Sequence, residues 1–122
     1  MALASDIMLG GFSAMSARAI GGQVKTGISA AGTVITDATD LTQSINVIST
    51  AAANSGVQLA PMNVGESQIV YNGGANAVKV YPGASTAAIN QLSAGAAHTL
   101  GTNTAAQYHQ ISATQVVAFA SA

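Results

Sequence analysis

Gln68-Ile69-Val70-Tyr71-Asn72-Gly73-Gly74-Ala75-Asn76-Ala77-Val78-Lys79-Val80-Tyr81 is the stretch on which the fold turns. Two β-prone runs, 68–71 and 78–81, flank a segment rich in Asn and Gly. Asn-Gly and Gly-Gly supply the positive φ angles of a tight β-turn, so the stretch reads as a β-hairpin. Pro82-Gly83 ends its second strand.

The same grammar extends in both directions. Residues 45–50, INVIST, are rich in β-branched side chains and read as a strand. Leu41, Ile45 and Ile48 also fit helical spacing, so a helix over 38–48 is the rival. Residues 57–59 form a short apolar run before Pro61. Beyond the hairpin come 89–92, 97–100, and a last pair, 105–112 and 115–121, around Ala113-Thr114. Turn signals about every 8–12 residues predict an all-β fold, a short-strand antiparallel β-sandwich or jelly-roll-like barrel. No clean internal repeat is visible, which disfavours a solenoid. The expected core is Ile45, Val47, Val57, Leu59, Ile69, Tyr71, Val78, Val80, Leu92, Leu100, Ile111, Val117 and Phe119.

Two zones divide the 122 residues: an N-terminal arm, 1–27, and a β-rich body, 28–122. In the arm, Met8, Phe12, Met15 and Ala19 fall on one face of a helix, interrupted by Gly10-Gly11. Met and Phe give adaptable apolar contact. Met8, Leu9, Phe12, Met15 and Ile20 are therefore the candidate partner-binding residues, and Gly21-Gly22 reads as a joint between arm and body. The N-terminus lacks the basic region of a signal peptide and carries Asp6.

Charge narrows the function. Only 6% of the residues are charged, against about 25% in an ordinary soluble domain. A surface so poor in ions lowers the barrier to association. Three basic residues are too few for nucleic acid, which needs several cations to displace counterions. No apolar run approaches the ~20 residues of a membrane-spanning helix. Cysteine is absent, which excludes disulfides and thiolate metal sites.

The sequence contains no complete reactive constellation. Asp37 and Asp40 are the only close acidic pair, without the further oxygen ligands of a calcium loop, and read as solvated loop acids or local turn acceptors. His98 and His109 fall on separate strands and supply too few ligands for zinc. No G-x-S-x-G elbow is present. In residues 21–27, GGQVKTG, Val24 stands where a phosphate loop needs Gly before Lys-Thr. The expectation is a protein without catalytic residues, metal or cofactor.

INVISTAAANSGVQL (45–59), GESQIVYNGGANAVKVYP (65–82), INQLSAGAAHTL (89–100) and ISATQVVAF (111–119) occur in an order that resembles small β-rich virion modules of tailed bacteriophages. The resemblance covers roughly three quarters of the chain and leaves the arm outside. Members of this pattern often carry Trp after A-T-Q, where this chain has Val116. The resemblance implies a head decoration (cement) or head-fibre protein, made in the host cytoplasm and placed on the capsid exterior. It would form a homotrimer, with the arm on the major capsid protein and no nucleic acid or membrane partner. A tail-fibre or head-fibre adhesin module that binds a host surface is the alternative.

Overall fold

The computed structural model describes residues 23–121. The protein is all-β over this range. Its strands are β1 (Val24–Ser29), β2 (Thr39–Asp40), β3 (Ile45–Thr50), β4 (Gly56–Gln58), β5 (Ser67–Asn72), β6 (Val78–Tyr81), β7 (Ala88–Ile89), β8 (His98–Leu100), β9 (Thr104–Ser112) and β10 (Gln115–Ala120). They form a six-stranded sheet, in the order β1-β3-β5-β9-β10-β7, and a four-stranded sheet, in the order β2-β4-β6-β8. β3 lies where the β-branched run 45–50 predicts it, β9 matches the expected run 105–112, and the helical rival over 38–48 is not formed. β1 takes in Val24 to Gly27, which the sequence reading assigned to the arm. The arm residues Met8, Leu9, Phe12, Met15 and Ile20 lie outside the described residues.

The sheets are mixed rather than antiparallel, and the chain winds between them in a β-solenoid-like arrangement. β1, β3 and β5 stack in parallel in the larger sheet. β2, β4 and β6 do the same in the smaller one. Each turn of the chain therefore contributes one strand to each sheet. β9 then lies antiparallel on β5, and β8 antiparallel on β6, ending both parallel stacks on that side. The solenoid-like winding leaves no repeat in the sequence, and corrects the expectation against a solenoid, because its coils are unequal. Positions 24, 45 and 69 share one row, and 39, 57 and 80 another, with no constant interval in either.

The hairpin expected over 68–81 is corrected by this topology. β5 and β6 do not pair; they enter different sheets, and the Asn-Gly segment is an arc between layers. Gly73 and Gly74 are absent from the positive-φ residues, so the tight-turn argument for them fails as well. Close approach is what demands glycine at position 74. A Cβ there would sit 2.7 Å from the Ala51 Cβ and 2.8 Å from its backbone nitrogen. The arc carries Asn72 inward to reach its partners. Its Nδ2 donates to the carbonyls of Asn76 and Leu100, and its Oδ1 accepts from the Gly74 N–H. The one hairpin read correctly is β9–β10, which pair antiparallel around Ala113-Thr114.

The core fills the space between the sheets. Ile48, Val70, Tyr108 and Val116 meet it from the larger sheet, and Val57, Val78, Val80 and Leu100 from the smaller. Five of the expected core residues, Val57, Leu59, Val78, Val80 and Leu100, are buried there. Others are displaced by one residue. In β3 the inward positions are Asn46 and Ile48, not Ile45 and Val47. In β5 they are Gln68, Val70 and Asn72, not Ile69 and Tyr71. In β10, Val116 is inward in place of Val117 and Phe119. Leu92 and Ile111 are exposed.

Hydrogen bonding explains how amides displace aliphatic side chains. Asn46 Nδ2 donates to the carbonyls of Gln43 and Ile69. Gln68 clasps the Ala60 backbone, donating to its carbonyl at 2.7 Å and accepting from its N–H at 3.1 Å. Asn76 Nδ2 donates to the Ala51 carbonyl of the preceding coil. No buried side-chain nitrogen or oxygen among the described residues lacks a partner. The arcs have backbone groups that no ladder can satisfy, and these amides satisfy them from inside.

Candidate interaction surface

The one-residue displacement sets large apolar side chains on the outside of the six-stranded sheet. Side chains paired across strands share a face, so the register defines that surface. One row runs Val24, Ile45, Ile69, Gln107, Phe119. A second runs Val47, Tyr71, Ala105, and a third Ser67, His109, Val117. Phe119 is 64% exposed, Val24 60% and Tyr71 37%. No position in these rows bears a formal charge at neutral pH. The His109 and Phe119 rings meet edge to face, with centroids 5.6 Å apart, which holds the aromatic end of the face in place. Gln107 and His109 of β9 interrupt the apolar residues, and an uncharged, largely apolar face of this kind is a candidate interaction site.

The outside of the four-stranded sheet differs. Asp40, Gln58 and Tyr81 form one row there, and Gly56, Lys79 and Thr99 another. Tyr81 lies flat over Gly56, where a Cβ would come within 2.8 Å of its ring, and its hydroxyl donates to the Thr33 carbonyl. That aromatic is thus consumed internally.

The remaining sequence candidates take structural roles. Asp37 Oδ1 accepts from the N–H groups of Thr33 and Val34, which makes it a turn acceptor. Asp40 sits in β2. His98 and His109 are on β8 and β9, and they face opposite directions: His109 outward, His98 toward the core. His98 Nδ1 lies 2.9 Å from the hydroxyl of fully buried Tyr108. Burial lowers the His98 pKa below its ordinary value and raises that of the Tyr108 phenol. No three His, Cys, Asp or Glu side chains converge among the described residues.

A cleft of about 630 Å³ lies at the β7–β8 end, lined by Asn90, Gln91, Leu92, Ala97, His98 and Thr99. Asn90 adopts a positive φ of 53° there, and its Oδ1 accepts from the Ala118 N–H. The lining joins amides, a hydroxyl and an imidazole to the apolar Leu92 and Ala97.

The interaction surface itself was missed by the sequence reading because its residues were assigned to the core. The available signal was the inner partner set: Asn46, Gln68 and Asn72 alternate with the apolar residues of their strands. No family model matches the chain, and none of the curated proteins or solved structures matches it either.

Proposed function

We propose that this protein is a non-enzymatic structural subunit of a virion, a capsid decoration (cement) protein that binds the major capsid protein and stabilises the head. The observation that carries the reading is the uncharged apolar outer face of the six-stranded sheet. The phage resemblance of residues 45–119 supplies the setting. In this reading the solenoid-like body acts as a two-layer plate with one adhesive side. The arm residues Met8, Leu9, Phe12, Met15 and Ile20 supply the contact with the capsid. Individually weak contacts suffice, because many copies on one shell gain affinity through effective concentration.

The fibre or adhesin module is the second reading. The neutral cleft beside His98 favours it, since amides and hydroxyls suit a neutral, hydroxylated host ligand.

Cosedimentation separates the two. The full-length chain is expected to pellet with purified phage heads stripped of their decoration and not with host cells. Substituting Phe12→Asp together with Met15→Asp abolishes head binding and leaves the circular dichroism spectrum unchanged. Pelleting with cells but not with heads would replace this reading with the adhesin.

A further inference from the structure

We infer that the outer face of the six-stranded sheet is the surface on which a second copy of this chain packs. The inference rests on the assembly reading for its need of copy-to-copy contact, but not on any particular virion partner.

Size is the first argument. The first row crosses five strands, β1 to β10, spaced about 4.8 Å apart, the other two cross three each, and the three rows together extend over about five residues of about 3.3 Å each. The face therefore fits within roughly 24 Å by 17 Å, on the order of 400 Å² in projection. A stable pair buries about 800 Å² on each partner, so one face against another supplies about half of that area, which suits a weak, concentration-dependent pairing. A single chain segment laid across it, about 10 Å wide even as a helix, would cover less than half of the width.

Charge is the second argument. The face has no ionic group to select a partner of opposite sign. A second copy presents the same neutral surface, and with a formal net charge of −1 per chain the copies barely repel. Both charged side chains on the strands of the smaller sheet, Asp40 and Lys79, lie on the opposite side of the molecule. Face-to-face packing of sheets about 10 Å apart is an ordinary solution for such a surface.

Composition along the row is the third. Val24 and Phe119 stand at its two ends, and Gln107 lies beside Phe119. Two copies related by a twofold axis place the aliphatic end of one against the aromatic end of the other, as a self-complementary contact requires.

The test is the mass of the full-length chain by sedimentation equilibrium at tens of micromolar. A mass of twice 11.9 kDa is expected. Phe119→Asp, and separately Val24→Asp, should weaken association by about a hundredfold, because each places an unpaired carboxylate in the buried contact. Both side chains are exposed in the single chain, so the variants keep the wild-type spectrum. Thr99→Asp, on the outside of the smaller sheet, leaves the mass unchanged. A single-chain mass for the wild type overturns the inference. So does equal weakening by Thr99→Asp. If the wild type is a single chain and Phe12→Asp makes it associate, the chain's own N-terminal segment covers the face and the inference fails. Head binding is measured separately, so loss of self-association and failure of the capsid reading are told apart.

Discussion

On the six-stranded sheet the outward row runs Val24, Ile45, Ile69, Gln107 and Phe119. On the four-stranded sheet Asp40, Gln58 and Tyr81 lie beside Gly56, Lys79 and Thr99. Both surfaces stand on the same pleated backbone and share one core. The smaller sheet follows the usual solution, with apolar residues inside and polar ones outside. The larger sheet reverses part of it: amides point inward at Asn46, Gln68 and Asn72, while aliphatic and aromatic side chains point outward. The lesson is that inward amides are tolerable when arcs offer backbone partners, and this frees the stronger hydrophobes for a surface.

Adjacent residues of β5 give the sharpest way to break this comparison. Val70 is fully buried and Ile69 beside it faces out. Val70→Asp buries a carboxylate without a partner and should unfold the body, a cost of several kcal/mol. Ile69→Asp should leave a folded chain with a melting temperature within a few degrees of the Val24→Asp variant. Thermal denaturation followed by circular dichroism checks both. Equal damage from the two would mean that β5 is in the other register.

The inward amides come next. Asn72→Ala removes three hydrogen bonds of the 72–76 arc and leaves the Leu100 and Asn76 carbonyls without that donor. The expected loss is about 2–3 kcal/mol in a urea titration. Tyr71→Ala, one residue away on the outer face, should cost less than about 1 kcal/mol in the isolated chain.

The smallest effect concerns His98. Folding depresses the His98 pKa below 6.5, because burial disfavours the imidazolium. The unfolded chain then binds the proton more readily, so this contribution is fully present above pH 6.5 and declines as pH falls below it. His98→Asn should flatten the fall in melting temperature between neutral and mildly acidic pH. Identical pH profiles for the wild type and His98→Asn would remove the role assigned to the His98–Tyr108 contact.

How much could be read in advance differs from strand to strand. β3 and the β9–β10 pair were legible because their signals are local: β-branched density in 45–50, and two runs around Ala113-Thr114. The 68–81 stretch was only half legible. Turn chemistry announces that the chain reverses there, but it does not say whether the next strand returns to the same sheet or crosses to the other. That choice depends on Ala51 of the preceding coil, packed against Gly74, and on Leu100, whose carbonyl receives Asn72. Both lie far off in sequence. The inside of β3 and β5 was misassigned for the same reason, since an amide reads as solvent-facing until its distant acceptors are known, whereas in β10 the inward residue is the aliphatic Val116. The candidate surface inherited that error. The arm residues Met8, Leu9, Phe12, Met15 and Ile20 rest on the sequence pattern alone.

The coils are linked mainly to their immediate neighbours. Ile45 N–H donates to the Gln23 carbonyl, Ile69 N–H to Ser44 and Gly73 N–H to Ile48, each reaching back a single coil. Such wiring makes the body modular. Duplicating or deleting one winding on the β1 side would lengthen or shorten the plate while β8, β9 and β10 keep their contacts. Variation in reach thus becomes available to descendants of this gene without redesign of the antiparallel cap.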